Sequence, residues 1–314
     1  MCGRKQKITT EPLVSVIIPN YNHAQYLEQR LNSVFNQTYT NFEVIILDDC
    51  STDNSLEVIT RYNDNPHLSQ VVVNETNAGN TFKQWQKGIR LAKGEIIWIA
   101  ESDDYCELNL LEELVSAYTF RHNIVLAYAP VVFTDDAGDV LGYYSKEWHT
   151  QYIRGSRFVR NYLAFDNVIH NASCAIFSKE VATSISNEYL KYRGVGDWWF
   201  WTLIAEKGNV AIVNKHLSYF RRYIGTTTNR LTLIGDNSRG YYELLEYIKR
   251  HYFITKIRED YILYSHPWII DGAKDVSVKD ELRRLWRYDG KYSKIERFLF
   301  RCLSYLRRKY LLYL

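Results

Sequence analysis

Two pairs of adjacent aspartates, Asp48–Asp49 and Asp103–Asp104, each follow a buried-looking apolar run: Phe42 to Leu47 for the first, Ile96 to Ala100 for the second. Neighbouring carboxylates repel, so such a pair needs a partner that rewards the charge: a divalent cation, a metal-bound phosphate or polar hydrogens on a ligand. One pair alone serves equally well to cap a helix or turn a loop, because Asp favours both positions. Two pairs, each at the end of a strand-like run, point to a nucleotide site with a cation. Hard oxygen ligands of this kind suit Mg²⁺ or Mn²⁺, with Glu101 close by in sequence. A further carboxylate, Asp197, stands before Trp198-Trp199-Phe200-Trp201. Aromatic neighbours that desolvate it would raise its proton affinity and suit it to act as a base, although the same residue types also make a capped core helix.

The elements that would carry these groups alternate. Leu13 to Ile18 reads as a buried strand stopped at Pro19-Asn20, and Tyr26, Leu27, Leu31, Val34 and Phe35 give a helix over 24–35. A strand at 42–47 follows, then a helix from the Ser51-Thr52-Asp53 cap to about Tyr62, a strand at 71–73, a helix ending at Lys93-Gly94, and a strand at 95–100. This pattern predicts an α/β fold, a Rossmann-like, mostly parallel sheet flanked by helices, with ligands bound beyond the carboxyl ends of its strands. A helix at about 107–120 comes next, then strands at 124–133 and 140–144 joined as a hairpin through Thr134 to Asp139, and a strand within Ala172 to Phe177. Neither GxGxxG nor GxxxxGK[ST] is present, so any phosphates are expected to be held through a cation.

Composition bounds the alternatives. The 314 residues carry a net charge of only +3, but residues 281–314 hold ten Lys/Arg against three Asp/Glu, so the rest of the chain is net negative. Basicity belongs to the tail, and nucleic acid is not an expected partner. Five widely spaced cysteines without a CxxC fit reduced thiols and a cytoplasmic setting. The amino terminus lacks a signal-peptide pattern, and no run has the eighteen or so apolar residues of a membrane span. Twenty-six tyrosines and eight tryptophans offer stacking faces for bases or sugars, and also fill cores.

Val14 to Asn22, Ser33 to Tyr39, Glu43 to Asp49 with Ser51-Thr52-Asp53, Asn77-Ala78-Gly79, Gly88, Ala92 to Glu95, Glu101 to Asp104, Gly196-Asp197 and, more loosely, Leu217 to Arg221 together resemble glycosyltransferase family 2 over roughly residues 12–225. Any one of these motifs is weak; their order is specific. The resemblance implies an inverting enzyme of the GT-A fold using a nucleoside diphosphate sugar, most naturally UDP-linked. Pro19 and Tyr21 would border the base pocket with Asn22 beside them, Asp49 would accept a hydrogen bond from the base, Asp103 would lie near ribose and metal, and Asp104 would coordinate the metal. Asp197 matches the catalytic base. The chain departs from the family twice. Thr81-Phe82-Lys83-Gln84-Trp85 replaces an Ala-Arg-Asn-like stretch, leaving Lys83 as substitute, and Arg221-Arg222-Tyr223 stands where a His often follows, making Arg222 a candidate diphosphate contact.

The expected organisation is a tail over 1–11, a catalytic domain over 12–230 (nucleotide-binding half 12–105, acceptor-binding half 106–230) and a helical extension over 231–314. Trp148, His149, Tyr152 and Arg154 are candidates for the acceptor side, and His170 lies in the same region, where a lone His is commonly structural. The acceptor implied is a hydroxyl of a surface glycan or lipid-linked oligosaccharide. Without membrane spans or the QxxRW element of processive synthases, addition of a single sugar is expected rather than polymerisation. Residues 291–314 alternate basic and apolar groups at helical spacing, which suits peripheral contact with the anionic inner face of a bacterial membrane, packing on the catalytic domain, or pairing in a homodimer. Two rival functions remain at this stage: a sugar nucleotidyltransferase, for which Pro19 to His23 is a poor phosphate loop, and a non-catalytic sugar-nucleotide-binding scaffold.

Overall fold

The computed structural model describes residues 11–144, 149–223 and 227–310. Its first hundred residues are β1 (Val14–Asn20), α1 (Ala24–Phe35), β2 (Phe42–Asp48), α2 (Ser55–Thr60), β3 (Leu68–Val73), α3 (Thr81–Leu91) and β4 (Ile96–Ile99). β1 pairs in parallel with β2 and β4, and β2 with β3. Both faces of β1, β2 and β4 are covered, so their sequences are rich in Val and Ile, whereas β3 at the sheet edge is half-exposed. Ile17, Ile45, Leu47, Ile97 and Ile99 enter the core on one face, and Val16, Ile18, Val44, Ile46 and Trp98 that on the other.

The second half supplies β5 (Tyr105–Cys106), α4 (Leu110–Phe120), β6 (Ile124–Tyr128), β7 (Val131–Thr134), β8 (Val140–Tyr143), β9 (Gln151–Arg154), α5 (Gly155–Phe158), β10 (Ala175–Ser178), α6 (Lys179–Ser184), α7 (Gly196–Ala205), β11 (Asn209–Ile212) and β12 (Ser218–Arg221). The main sheet has eight strands in the order β3-β2-β1-β4-β10-β6-β11-β9, and a smaller sheet runs β5-β12-β7-β8. Only β10 and β9 run against their neighbours in the main sheet, which is therefore mostly parallel. The strand expected over 124–133 is two strands in two sheets. The break falls at Ala129-Pro130, where the Ala129 N–H turns to the carbonyl of Cys174 and Pro130 has no N–H to continue a ladder. The hairpin itself forms, between β7 and β8.

Six helices follow: α8 (Thr227–Leu233), α9 (Asp236–His251), α10 (Lys256–Ser265), α11 (Trp268–Asp271), α12 (Val276–Leu285) and α13 (Lys294–Tyr310). α9 backs onto the start of α7: Tyr241 stacks on Trp198 at 4.3 Å, and Tyr247 lies 5.1 Å from Trp199. No helix among the described residues is long and apolar enough to cross a membrane.

α3 is pressed onto β1 at Gly88, where an added Cβ would stand 2.4 Å from the Ile17 side chain. A mid-helix Gly→Ala change ordinarily stabilises by about 0.5–1 kcal/mol. Here Gly88→Ala should instead destabilise by about 1–3 kcal/mol through overpacking. Urea denaturation reads the sign, and a stabilised variant would show that this close approach is not a constraint.

Candidate active site

β2 ends in two aspartates with different tasks. Asp48 is buried and accepts from Asn20 Nδ2 (2.8 Å) and the Ser51 N–H (2.8 Å), closing the strand end on itself. The Asp49 N–H donates to the carbonyl of Asn20, which fixes Asp49 beside Tyr21. Its Oδ1 accepts from Asn74 Nδ2 (2.6 Å), the Ala78 N–H (2.9 Å) and Gln84 Nε2 (2.6 Å). Its Oδ2 takes no hydrogen bond from the described residues, so one carboxylate oxygen is held rigidly and the other remains for a ligand. The loop that supplies Ala78 turns through Gly79 at a φ of 65°, where a side chain would be strained. Tyr21 is 46% exposed at the same rim, and Pro19 is buried within β1. Asn22 is occupied otherwise: it sits at a φ of 54°, and its Oδ1 accepts from the Thr52 N–H at 2.7 Å, pinning the turn before α2.

The second pair divides its labour more sharply. Asp104 is buried; its Oδ2 accepts from Ser173 Oγ (2.8 Å) and Asn171 Nδ2, with Arg30 Nη2 at 3.8 Å, and its Oδ1 accepts from the Arg221 N–H (3.1 Å). Arg30 is itself fully buried and also donates to Ser173 Oγ (3.0 Å) and the Glu101 carbonyl (2.8 Å). Burial, then the charge of Asp103, pushes the Asp104 carboxyl upward, and Arg30 pulls it back. With both oxygens engaged by protein donors, Asp104 is built in as a structural anion, not in the open position expected of a metal ligand. Asp103 is half-buried; its Oδ2 accepts from the Tyr223 hydroxyl (3.2 Å), its Oδ1 takes no described hydrogen bond, and His23 Nε2 lies 3.4 Å from that same hydroxyl. Of the pair, Asp103 has an oxygen to offer. Glu101 turns away to accept from Trp85 Nε1 at 2.8 Å, and burial pushes its carboxyl up to about 8.

No group of three His, Cys, Asp or Glu side chains capable of caging a cation occurs among the described residues. A single available carboxylate matches the way Mg²⁺ is commonly held, by one or two protein carboxylates plus substrate phosphates. The residues present therefore fit a cation that arrives with a diphosphate.

Asp197 opens α7. Its Oδ1 accepts from the Trp198 N–H (2.7 Å) and its Oδ2 from Asn167 Nδ2 (2.8 Å). Burial pushes it up to about 7, and no cation offsets that shift. Val195, not Asp197, holds the N-cap position of α7 and makes no side-chain cap. Trp198 to Trp201 are all buried and desolvate the carboxylate beside them. Two segments tie Asp197 to the aspartate pairs. α3 sends Gln84 to Asp49 and Trp85 to Glu101, and its Phe82 would lie 2.3 Å from a Cβ on Gly196. The loop before β10 sends Asn167 to Asp197, and Asn171 and Ser173 to Asp104. α3 and the loop before β10 thus connect the three carboxylates through hydrogen bonds and packing.

The other candidates scatter. Lys83 reaches the carbonyl of Ala78 (3.3 Å) at the rim of the Asp49 loop. Arg222 stacks on Phe133, with its Cζ 3.9 Å from the ring centroid, while its neighbours Arg221 and Tyr223 face Asp103. A segment that alternates sides sends Arg222 away from the carboxylate pair. His170 lies between Phe133 (5.4 Å) and Tyr144 (4.2 Å), and burial pushes it down to about 4, leaving it neutral. Tyr152 stacks on Phe120, and the residue after Arg154 abuts the carbonyl of Ala205. That is the far end of α7, about 12 Å from Asp197 at 1.5 Å per residue. The carbonyl of His149 accepts from Asn214, and Trp148 lies outside the described residues. Arg30, Gln84, Asn167, Asn171 and Ser173 were not singled out from sequence. Arg30 alone carried a signal, an arginine on the Leu27-Leu31-Val34 face of α1.

The chain has a two-sheet α/β architecture with acidic pairs at the end of β2 and after β4. The chain belongs to glycosyl transferase family 2, whose model matches residues 15–185. It is 36% identical over 114 residues to the poly(ribitol-phosphate) beta-N-acetylglucosaminyltransferase TarS of Staphylococcus aureus, covering 36% of this chain and 20% of that protein. Glycosyltransferase GlyG of Streptococcus pneumoniae is 39% identical over 102 residues, covering 32% of this chain and 34% of GlyG. The chain thus spans a fifth to a third of these relatives' lengths. Among solved structures, residues 1–349 of S. aureus TarS in complex with UDP-GlcNAc superpose with a TM-score of 0.65 at 18% identity, over 87% of this chain and 79% of that one. Mannosyltransferase PcManGT from Pyrobaculum calidifontis, in complex with GDP-Man and Mn²⁺, gives 0.55 at 16% identity, over 95% and 81%. These structures share the GT-A fold.

Removing Arg30 strands Asp104 as a buried, unpaired charge. Arg30→Ala should cost about 3–5 kcal/mol, as breaking one partner of a buried ion pair does. A loss below about 1 kcal/mol in chemical denaturation would mean that Asp104 is neutral in the folded protein and needs no countercharge.

Proposed function

We propose that the protein transfers one sugar, with inversion, from a UDP-linked donor to a hydroxyl of a surface glycan or lipid-linked oligosaccharide. The observation that supports this reading is a pairing of roles: Asp49 has a single oxygen left for a ligand, and Asp197, linked to it through α3, has raised proton affinity. A carboxylate oxygen that only accepts selects a base with an N–H to donate, which the imide of uracil supplies, while Tyr21 offers its ring to stack. Asp103 would hold a Mg²⁺ or Mn²⁺ shared with the diphosphate, and Lys83 is a second cation at the rim. Such an ion spreads the negative charge that builds on the departing nucleotide.

The reaction asks for one in-line displacement. Asp197 takes the proton of the acceptor hydroxyl, that oxygen forms its bond to the anomeric carbon, and the bond from that carbon to the phosphate oxygen breaks with its electron pair on the diphosphate. A base half-protonated near neutral pH balances availability against driving force. Asn167 is a positioning residue: its amide donates to Asp197 Oδ2, aims the carboxylate and favours its charged form. Family membership disfavours a nucleotidyltransferase, and a silent scaffold would gain nothing from a desolvated carboxylate at the cleft. This reading places the enzyme in the cytoplasm with its sugar-nucleotide supply.

Asp197→Asn should bind UDP as the parent does and lose about 10²–10⁴-fold in transfer rate. In the parent, kcat/KM should rise with pH and reach half its plateau near pH 7, because only ionised Asp197 is a base. Asn167→Ala removes a donor to the charged form, so its half-point should move to higher pH. Unchanged turnover in Asp197→Asn removes that residue from the mechanism. A slower Asn167→Ala enzyme with an unmoved profile reduces Asn167 to a structural role.

A further inference from the structure

The carboxy-terminal helix α13 shows three distinct faces. Phe300 is fully buried against Tyr261, Tyr264 and Tyr292, and Leu303 packs beside it, so this side docks on α10. On a different side, Ile295 (73% exposed), Phe298 (66%) and Tyr305 (59%) join Leu299 in a line of large apolar groups facing solvent. At 100° per residue this line is centred roughly 130° from the docked face. Between them, Lys294, Arg297 and Arg301 recur at spacings of three and four and make a parallel cationic row, all three exposed. Over residues 291–314 there are seven Lys/Arg and one Asp/Glu, and that acid, Glu296, is spent accepting from the Ser293 N–H at 2.7 Å.

We propose that α13 is a membrane-docking helix whose Ile295–Phe298–Leu299–Tyr305 stripe enters the interface of an anionic bilayer while Lys294, Arg297 and Arg301 rest on lipid phosphates. The inference does not depend on the transferase reading. The pattern is that of an interfacial helix: an apolar stripe, a basic flank and a third face already occupied by protein. Charge identifies the occupant. Two copies meeting stripe to stripe would bring like-charged rows together, whereas an anionic surface attracts every cation, by roughly five-fold in affinity for each one. The docked face answers part of the choice left open by sequence: the tail packs on the protein and still has a free surface. It also makes deletion of 291–314 a poor test, because Phe300 belongs to the core.

The test uses the full chain with surface substitutions, sedimented with vesicles of phosphatidylcholine alone or containing 30% phosphatidylglycerol (about a third anionic lipid). The parent should bind only the anionic vesicles, and 0.5 M salt should weaken binding (Debye length about 4–5 Å). The triple change Lys294→Glu, Arg297→Glu, Arg301→Glu should lower binding at least 100-fold, and Ile295→Ser with Phe298→Ser at least 10-fold. Both should keep the parent's melting temperature, since none of these side chains is buried. Failure of the parent to bind, or retention of binding by both variants, overturns the proposal. So does a parent dimer in solution that Ile295→Ser with Phe298→Ser converts to monomer, which would make the stripe a subunit interface.

Discussion

The buried contact between Arg30 and Asp104 is the constraint from which the site is built. A carboxylate removed from water needs compensation, and here it comes from four groups on three parts of the chain: Arg30 of α1, Asn171 and Ser173 before β10, and the backbone N–H of Arg221 in β12. Satisfying one anion therefore fixes the helix after β1, the loop before β10 and the smaller sheet relative to the end of β4. Asp103, the next residue along, inherits its position from this knot. Its carbonyl is held by Arg221 Nε at 2.9 Å, and its half-buried side chain accepts only from the Tyr223 hydroxyl among the described residues.

The same economy governs the other two carboxylates. Three donors converge on one oxygen of Asp49, so the orientation of the other is set without being used. Asp197 is fixed by its own helix end and by Asn167, while the aromatic wall behind it withholds the solvation that would keep its proton affinity low. That wall is shared. Trp85 touches Phe200 and Trp201 at 5.6 and 5.9 Å and donates to Glu101, and Tyr241 of α9 stacks behind Trp198. The helical extension thus packs against the two tryptophans that follow the proposed base.

The β-α alternation of the first hundred residues was legible because buried parallel strands are written in unbroken Val and Ile, and helix α1 in a clear apolar period. Strand 124–133 misled because its two halves are equally apolar, and only Pro130 marks the change of sheet. The acidic pairs announced the site, but sequence could not apportion roles within them. Asp48 and Asp49, or Asp103 and Asp104, are chemically identical neighbours, and what separates them is which donors arrive from distant segments. Asn171 and Ser173 reach Asp104 from some 70 residues away, and Arg30 from a comparable distance on the other side. Arg222 illustrates the reverse error: a cation in a plausible place whose side chain alternates away. The candidates Tyr152 and Arg154 failed because the strand that carries them is the far margin of the main sheet.

In the proposed site Asp104 is locked as structure, and Asp103 is the carboxylate that would meet a metal brought by the donor. Calorimetric titration of UDP with and without Mn²⁺ measures this directly, with melting temperature as the fold control. Mn²⁺ should tighten UDP binding at least ten-fold in the parent, and Asp103→Asn should keep the melting temperature and lose the metal's contribution. Full metal enhancement in Asp103→Asn would contradict this assignment.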